Sequence, residues 1–335
     1  MTSPTHTAAA PGGAATQAPG PTHQVAQAPG PAHRLTTTDV LLLLMSLIWA
    51  INVIVLKAAF AVFSPLAFNA FRFAIGGVVI ALVARQLGRV TPDRADWWRL
   101  AALGVLGNSV YQVSFIHGLS LTRAGNASLI MGTGPIYTAL FSHLRGHERI
   151  RGRDIAGILV STTGLASVVL GSGKEVGFGE GLGGDLLILF ATICWSAYTV
   201  GSKPLVDRYG AVTATAWSMA FGAVPIVLIG MPSVLRSDLA AVPLAGWGAV
   251  VYSSVFALVL AFLFWYRGVE RLGSTRTATY SNFQPVIVLL IAWPLLHETP
   301  TLGQILGAGG IFTGIYLTRT SGPTVRDAGG GARDR

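Results

Sequence analysis

The stretch DVLLLLMSLIWAINVIVLKAAF, residues 39–60, decides the fold of this chain. It carries no charged side chain between Asp39 and Lys57, and a helix crosses a bilayer core with roughly 20 such residues. Similar stretches follow along all 335 residues, of which 52% are hydrophobic and 11% are charged. Soluble domains carry about 25% charged residues. Together with the mean hydropathy of +0.59, this composition excludes a water-soluble fold and predicts an all-α integral membrane protein.

Ten apolar segments are predicted between two polar tails. They cover residues 39–60, 66–84, 99–119, 125–144, 154–171, 185–203, 211–231, 246–266, 277–296 and 303–319. The first tail, residues 1–37, is rich in Pro, Ala and Gly and repeats the unit QAPGPTH as QAPGPAH. The second tail covers residues 320–335. Such compositions cannot bury a core, so both tails are predicted to be disordered.

The Lys and Arg residues predict the orientation. Eighteen of the 23 fall on the side that holds both termini, four fall on the other side, and Arg72 lies within a segment. Because cytoplasmic loops are enriched in Lys and Arg, both termini are expected in the cytoplasm. Despite the net charge of +9, no basic face interleaved with aromatics is present, so nucleic acid is not an expected partner.

The chain consists of two related halves. WAINVIVLK at 49–57 aligns with WSAYTVGSK at 195–203, at an offset of 146 residues. A second series aligns at an offset of 150, namely Pro135, Glu148, Gly157 and Gly164 with Pro285, Glu298, Gly307 and Gly314. Five segments per half force the second half into the membrane upside down, an inverted-topology repeat typical of secondary transporters. The predicted domains are a first repeat at 38–171, an extracytoplasmic linker at 172–184 and a second repeat at 185–319.

These segments resemble a known family. WAINVIVLKAAFAVFSPLAFNAFRFAIGG, NASLIMGTGPIYTALFSHLRGHE and the series from Pro285 to Gly314 resemble the drug/metabolite transporter superfamily, EamA type, over residues 39–319. The resemblance implies a ten-helix carrier of the bacterial inner membrane with a central cavity lined mainly by helices 1, 3, 4, 6, 8 and 9. It also implies export of amino acids or other small metabolites. Arg72 resembles an Arg that often opens the second helix of the family, but its counterpart in the second half is Ser218.

Two tryptophans indicate a binding site. Trp49 and Trp195 are repeat-related and fall near the middle of their segments, although Trp in membranes prefers the interfaces. Two indoles at mid-depth predict a substrate cavity, the alternative being helix packing with each N–H bonded to a neighbour. Asn52 and its counterpart Tyr198 lie one turn from these rings and are predicted to share the site.

Two prolines point to the same depth. Pro135 and Pro285 fall near the midpoints of segments 4 and 9, where each removes a backbone hydrogen bond. In lipid this is tolerated where protein or a cavity satisfies the freed groups, and Asn282 and Gln284 are polar neighbours. Paired broken helices predict a binding site at the midplane, whereas a simple kink is the alternative.

Segment 3 carries a polar and aromatic stripe. Asn108, Tyr111, Gln112 and Phe115 follow helical spacing and should face the bundle interior. There they either bond to neighbouring helices or line the cavity. Two further aromatic candidates of the same type are Tyr252 and Tyr280.

Three cations are candidates for charge recognition or gating. Arg72 lies about 10 Å into its helix at 1.5 Å per residue, and no Asp or Glu lies at mid-span to pair with it. It either snorkels or bonds freed carbonyls, or it contacts a substrate carboxylate. Lys57 and Lys203 are expected to anchor helix ends, with a gate role as the alternative.

No cofactor or metal site is predicted. Cys194 is the single cysteine, and Arg145 and Arg149 would repel a metal ion from His143 and His147. Acids and histidines lie in tails, loops or segment ends, which argues against an intramembrane enzyme. The predicted function is therefore a secondary transporter of small solutes that works by alternating access, with a channel or facilitator as the alternative.

The oligomeric state is predicted only from small residues. Glycines spaced along segments 5 and 10 form close-packing faces, either within the bundle or at a dimer. The chain is therefore expected to be a monomer or a homodimer in the lipid bilayer.

Overall fold

The computed structural model describes residues 35–88, 91–122, 124–171, 182–287, 290 and 300–320. Over these residues the chain is helical almost throughout and forms no β-strand, which confirms the predicted all-α class. Most of both predicted tails and of the linker, and the end of segment 9, lie outside the described residues.

The described α-helices follow the chain closely. They are α1 (Thr37–Ala59), α2 (Pro65–Val83), α3 (Arg94–Gly104), α4 (Tyr111–Leu121), α5 (Ala124–Met131), α6 (Gly134–Leu144), α7 (Gly152–Gly171), α8 (Leu182–Arg236), α9 (Leu244–Tyr252), α10 (Ala261–Leu272), α11 (Ser274–Thr279) and α12 (Leu302–Arg319). Shorter helical pieces continue or join them: π-helical Ala84–Gly88, Val105–Val110 and Ser253–Leu260, and 3₁₀-helical Leu239–Ala241 and Tyr280–Phe283.

Five of the described helices are long and apolar enough to cross a membrane, judged by length and composition. They are Thr37–Leu56, Pro65–Gln86, Gly152–Gly171, Leu182–Arg236 and Leu244–Leu272. The fourth, α8, spans 55 residues but is bent at Gly210, whose φ of 79° and ψ of 159° are not helical. Glycine adopts positive φ without a Cβ clash, so α8 consists of two arms, residues 182–209 and 211–236.

Helix starts follow local sequence signals. Asp39 Oδ2 accepts a hydrogen bond from the Thr36 backbone N–H at 2.7 Å, and Thr36 Oγ1 accepts one from the Asp39 N–H at 3.3 Å. This reciprocal capping box satisfies two backbone donors at the start of α1. Thr301 and Gln304 form the same arrangement at the start of α12.

Glycine faces hold α7 and α12 together. A Cβ added to Gly164 would lie 2.6 Å from the Gly307 oxygen, and one on Gly157 would lie 2.7 Å from the Gly314 oxygen. The backbones therefore approach so closely that only glycine fits. The small-residue faces predicted from the sequence meet each other within one chain.

The directions of the central helices follow from their contacts. Leu42 of α1 packs against Gly268, while Trp49 packs against Phe262, so α1 runs antiparallel to α10. The first arm of α8 runs parallel to α10, because Trp195 packs against Phe262 and Tyr198 against Tyr266. It follows that α1 and the first arm of α8 point in opposite directions.

Candidate functional site

Six aromatic rings meet where α1, α4, the first arm of α8 and α10 pack together. This aromatic cluster consists of Trp49, Tyr111, Trp195, Tyr198, Phe262 and Trp265. The Trp49 and Trp195 ring centroids are 5.8 Å apart at an interplanar angle of 77°. Trp265 lies 5.5 Å from Trp49 and 5.4 Å from Trp195. The structure thus brings the two repeat-related tryptophans into contact.

Two indole N–H groups of the cluster differ in their bonding. Trp49 Nε1 donates to the Ala257 oxygen at 3.0 Å, within the π-helical segment Ser253–Leu260. Trp265 Nε1 is buried and has no hydrogen-bond partner among the described residues. A buried donor without a partner is costly, so this N–H is available to an acceptor on a bound solute.

The stripe on segment 3 contacts both arms of α8, at Trp195 in the first arm and at Ser218 in the second. Tyr111 stacks on Phe115 with centroids 5.8 Å apart and lies 5.0 Å from Trp195. Asn108 Nδ2 donates to the Ser218 oxygen at 3.4 Å. The amide oxygens of Asn108 and Gln112 are buried and lack a partner within the described part of the chain. These oxygens are acceptors beside the aromatic cluster.

Tyr198 is held by polar contacts at the edge of the cluster. Its hydroxyl lies 3.0 Å from Ser218 Oγ and 3.5 Å from Asn108 Nδ2. A crevice lies next to it, too narrow for a water molecule and lined by Leu100, Leu103, Ser202, Leu205, Ala214, Ser218 and Tyr266. The side chains thus close on one another here.

Asn52 and Tyr252 tie α1 to the end of α9. Asn52 Oδ1 accepts a hydrogen bond from Ser253 Oγ at 2.5 Å, and the Tyr252 hydroxyl donates to the Ile48 oxygen at 3.1 Å. Both side chains are therefore engaged with backbone or side-chain partners of a neighbouring helix, and they flank Trp49 rather than join the ring contacts.

The chain is broken at both predicted prolines. Ahead of Pro135, α5 ends at Met131 and a turn precedes α6. Hydroxyls of other helices donate to carbonyls at this turn: Thr162 Oγ1 to Gly132 O at 3.4 Å, and Ser196 Oγ to Gly134 O at 3.2 Å. Protein hydroxyls therefore solvate the opened backbone, as is required away from water.

The break ahead of Pro285 has a different form. The 3₁₀ turn Tyr280–Phe283 comes before it, and Ser46 Oγ of α1 donates to the Tyr280 oxygen at 3.0 Å. Asn282 Nδ2 donates to Ser161 Oγ of α7 at 3.2 Å, and Gln284 is half-buried, as is the proline itself.

Tyr280 lies at a helix end rather than in the aromatic cluster. Its hydroxyl donates to Asp39 Oδ1 at 2.5 Å, and Arg319 forms an ion pair with Asp39 Oδ2 at 2.7 Å. Asp39 is fully buried. It therefore joins the start of α1 to segment 9 and to the end of α12.

Arg72 is buried, with 2% of its surface exposed, instead of extending to the surface as snorkelling would require. Its Nη1 donates to Asn69 Oδ1 at 3.2 Å. Lys203 Nζ is also buried but forms an ion pair with Asp207 at 2.7 Å. The side chain of Lys57 lies outside the described residues.

Sequence reasoning missed several of these groups. Phe262, Trp265 and Tyr266 recur at i, i+3 and i+4 on α10, a spacing that could have identified a helix face. Asp39 and Asp185 are separated by the same 146 residues as Trp49 and Trp195, and this offset could have marked them as a pair. The π-helical segments Val105–Val110 and Ser253–Leu260 have no comparable sequence signal.

Charged groups outside the apolar segments form local networks. Glu148 is buried and caps α11, accepting from the Ser274 N–H at 2.5 Å. Beside it, burial lowers the pKa of His147, and nearby Arg145 lowers it further. A hydrogen bond from the Tyr209 hydroxyl holds the pKa of Asp96 below its ordinary value. No group of three or more His, Cys, Asp or Glu that could hold a metal occurs among the described residues.

Known proteins resemble this chain over most of its length. Residues 36–170 and 182–320 each match the model of the EamA-like transporter family. The uncharacterized transporter YyaM of Bacillus subtilis is 27% identical, with coverage of 76% of this chain and 84% of YyaM. An uncharacterized transporter of Archaeoglobus fulgidus is 28% identical over 84% of this chain and 96% of its own length.

Two further matches bear on solute and fold. A protein of Streptantibioticus cattleyicolor named "Probable terminal-alkyne amino-acid exporter" is 26% identical, over 72% of this chain and 80% of that protein. One crystal structure matches with a TM-score of 0.68 at 21% identity, covering 84% of this chain and 95% of its own. At that identity the likeness concerns the fold alone.

Proposed function

Because this chain belongs to the EamA-like transporter family, we propose that it is a secondary transporter that exports amino acids or similar small amphiphilic metabolites by alternating access. The family and the apolar helices make the chain a membrane protein and a transporter rather than an enzyme. The relative from Streptantibioticus is named as an amino-acid exporter, which supports the proposed class of solute.

The proposed architecture has ten transmembrane helices in two inverted repeats, 38–171 and 185–319, joined by an extracytoplasmic linker. Both termini lie in the cytoplasm, and the membrane is the bacterial inner membrane. Two family matches of similar length support the repeat. The opposite directions of α1 and the first arm of α8, which carry the repeat-related tryptophans, support its inversion. Because the glycine faces pack within one chain, the monomer is the proposed transporting unit, alone or in a homodimer.

The observation that carries this proposal is the contact between Trp49 and Trp195 within the aromatic cluster. The rings form an apolar surface, and near it are polar atoms that lack a partner among the described residues, namely the amide oxygens of Asn108 and Gln112 and the Trp265 N–H. Small-molecule sites are mostly apolar with a few placed polar groups. An apolar side chain would pack on the rings while an ammonium group donates to the amide oxygens.

Alternating access requires helices that separate at one end at a time. Asp39 ties helix ends at one end of the bundle, and Asp185 accepts hydrogen bonds from Thr122 and Asn126 at the other. In the proposed cycle the Asp39 contacts break when the cytoplasmic end opens, and the Asp185 contacts break when the opposite end opens. Such discrete contacts give the two states that a switching transporter needs.

Transport by the purified protein in liposomes tests this function. Uptake of labelled phenylalanine and leucine should saturate with concentration and should be accelerated by unlabelled amino acid inside, a counterflow that only a carrier shows. Protein-free liposomes provide the background. Flux that does not saturate and carries electrical current would indicate a channel and would overturn the proposal.

A further inference from the structure

Arg72 is a buried cation for which the described residues supply no counter-ion. It lies on α2 with 2% of its surface exposed, and no carboxylate within the described part of the chain forms a salt bridge with it. Its neighbours are the Asn69 amide oxygen at 3.2 Å and the Phe68 ring at 5.8 Å. Neither of these groups carries a charge, so the guanidinium is not neutralised.

The guanidinium also has unused hydrogen-bonding capacity. Its Nε is buried and has no partner among the described residues. Arginine has five N–H donors in a planar fork that matches a carboxylate, and burying an unpaired ion is costly. Lys203, the other buried cation among the described residues, has Asp207 beside it. Arg72 therefore suits an anion that arrives from outside the chain.

The position of Arg72 connects it to the aromatic cluster. The guanidinium lies over the Phe68 ring, and Phe68 belongs to the same apolar cluster as Tyr111. The Tyr111 ring is in turn 5.0 Å from Trp195. Gln112, the next residue, offers an amide oxygen without a partner in the described structure. A donor for an anion, an acceptor for a cation and an apolar surface thus occur in the neighbourhood of Tyr111.

We propose that Arg72 binds the carboxylate of the transported solute, whose apolar part lies against the aromatic cluster. This inference rests on the proposed function and specifies its substrate class as monocarboxylates. A single guanidinium matches one carboxylate through two parallel hydrogen bonds, whereas a phosphorylated solute would require several convergent cations. Arg72 therefore rejects amines of the same carbon frame, because it repels a second positive charge.

Equilibrium binding to the purified full-length protein tests the proposal without requiring transport. The probes are 3-phenylpropionate, a carboxylate, and 2-phenylethylamine, which carries an amine on a similar frame, each titrated calorimetrically. The wild type should bind the carboxylate at least about tenfold more tightly than the amine, since hydrogen bonds to charged groups correspond to roughly 10- to 100-fold in affinity. Arg72→Gln should lose this preference, and Arg72→Lys, which lacks the planar fork, should lose part of it.

Arg236→Gln provides a matched control, because it removes an exposed cation at the end of α8 and should keep the wild-type preference. Equal binding of both probes by the wild type, absence of binding, or a preference retained in Arg72→Gln would overturn the assignment. If Arg72→Gln is not recovered as folded protein, Arg72→Lys decides the outcome. A carboxylate affinity of Arg72→Lys equal to that of the wild type overturns the assignment. A carboxylate preference without saturable liposome flux would overturn the transport function while leaving this site in place.

Discussion

Asp39 and Asp185 are 146 residues apart in the sequence and lie at opposite ends of the helix bundle, where each joins the ends of other helices. Asp39 accepts from the Tyr280 hydroxyl at 2.5 Å, and Asp185 accepts from Asn126 Nδ2 at 3.1 Å. The two acids lie at opposite ends because each is near the start of its helix, and these helices, α1 and the first arm of α8, run in opposite directions. Each acid thus connects the first helix of one half to the broken helix of the other half.

This relationship predicts that each acid controls opening at its own end. Asp39→Asn cannot form the ion pair with Arg319 and should favour opening at the predicted cytoplasmic end. A thiol-specific probe reports this in a Cys194→Ser background. Labelling of Ser281→Cys, next to Tyr280, should rise several-fold when Asp39→Asn is added, because the half-buried position becomes wet.

Asp185→Asn is the matched comparison. It should raise labelling of Leu119→Cys, a half-buried position near the other end, and leave Ser281→Cys unchanged. If both acid variants raised labelling at both positions equally, the two acids would be general stabilisers rather than separate contacts at two ends.

The orientation of the repeats gives a second prediction. A reporter fused after Gly171, where α7 ends, should be extracytoplasmic, and one fused after Arg335 should be cytoplasmic, because five segments reverse the side of the membrane. Alkaline phosphatase and green fluorescent protein fusions measure the two locations. Finding both reporters on one side would contradict five segments in the first half.

Much of the fold was predictable because the bilayer imposes simple rules. Apolar length predicted helices such as α1 and α7, and prolines predicted the breaks ahead of Pro135 and Pro285, since a missing N–H leaves the backbone open. The repeat offset singled out Trp49 and Trp195 together because a duplicated chain keeps equivalent positions at equivalent depths. These features depend on local sequence or on symmetry.

The remaining features depend on packing between distant segments. The contribution of Trp265 to the aromatic cluster was missed because aromatic spacing marks one face of α10 but does not say which distant helices that face contacts. The π-helical segment Ser253–Leu260 was missed because its widened turns follow from tertiary contacts such as the Trp49 bond to Ala257. The burial of Arg72 differs from the expected snorkelling, because α2 is covered by neighbouring helices at that depth.

Close packing of α7 on α12 gives a third prediction. Gly164→Ala places a methyl group 2.6 Å from the Gly307 oxygen, so the helices must move apart, at a cost of about 1–3 kcal/mol. The melting temperature of the purified protein should fall. Gly309→Ala on α12 is the control, because its added Cβ meets no atom within 4 Å and alanine is the better helix former. Equal melting temperatures for the two variants would contradict the helix contact.

Acid sensitivity gives a fourth prediction, centred on His147. Burial first, and then Arg145, lower the pKa of this histidine, whereas nearby Glu148 raises it. The unfolded chain therefore binds a proton at a higher pH than the folded chain. The contribution of neutral His147 to the stability of the folded chain is complete above the ordinary histidine pKa of about 6.5. This contribution is lost as the pH falls towards the lowered pKa of His147 in the folded chain.

His147→Gln should remove this part of the pH dependence. Melting temperatures measured between neutral and mildly acidic pH should fall less steeply in the variant than in the wild type. Exposed His117 provides the control, and His117→Gln should keep the wild-type slope. A slope unchanged by His147→Gln would show that other groups determine the acid sensitivity.

The last prediction separates a binding role of the tryptophans from a packing role. Trp49 contacts Trp195, Phe262 and Trp265 and bonds the Ala257 oxygen, so Trp49→Ala removes both a solute surface and internal contacts. Truncating a large aromatic in a soluble core costs about 3–5 kcal/mol. If the ring serves mainly the solute, the variant should lose liposome uptake while its yield and melting temperature stay near those of the wild type.

Trp98→Ala is the matched control, because that indole is 66% exposed and lies outside the aromatic cluster. It should change neither uptake nor stability. Trp195→Ala should reduce uptake as Trp49→Ala does, but to a different degree. The Trp195 ring contacts the rings of Tyr111 and Tyr198, and among the described ring contacts Trp49 has neither of these partners. If the melting temperatures of Trp49→Ala and Trp195→Ala fell in proportion to the uptake lost, the two tryptophans would have a packing role rather than a binding role. Wild-type uptake in both folded variants would exclude Trp49 and Trp195 from the binding site. If their rings held the solute, removing either ring would change the rate of transport.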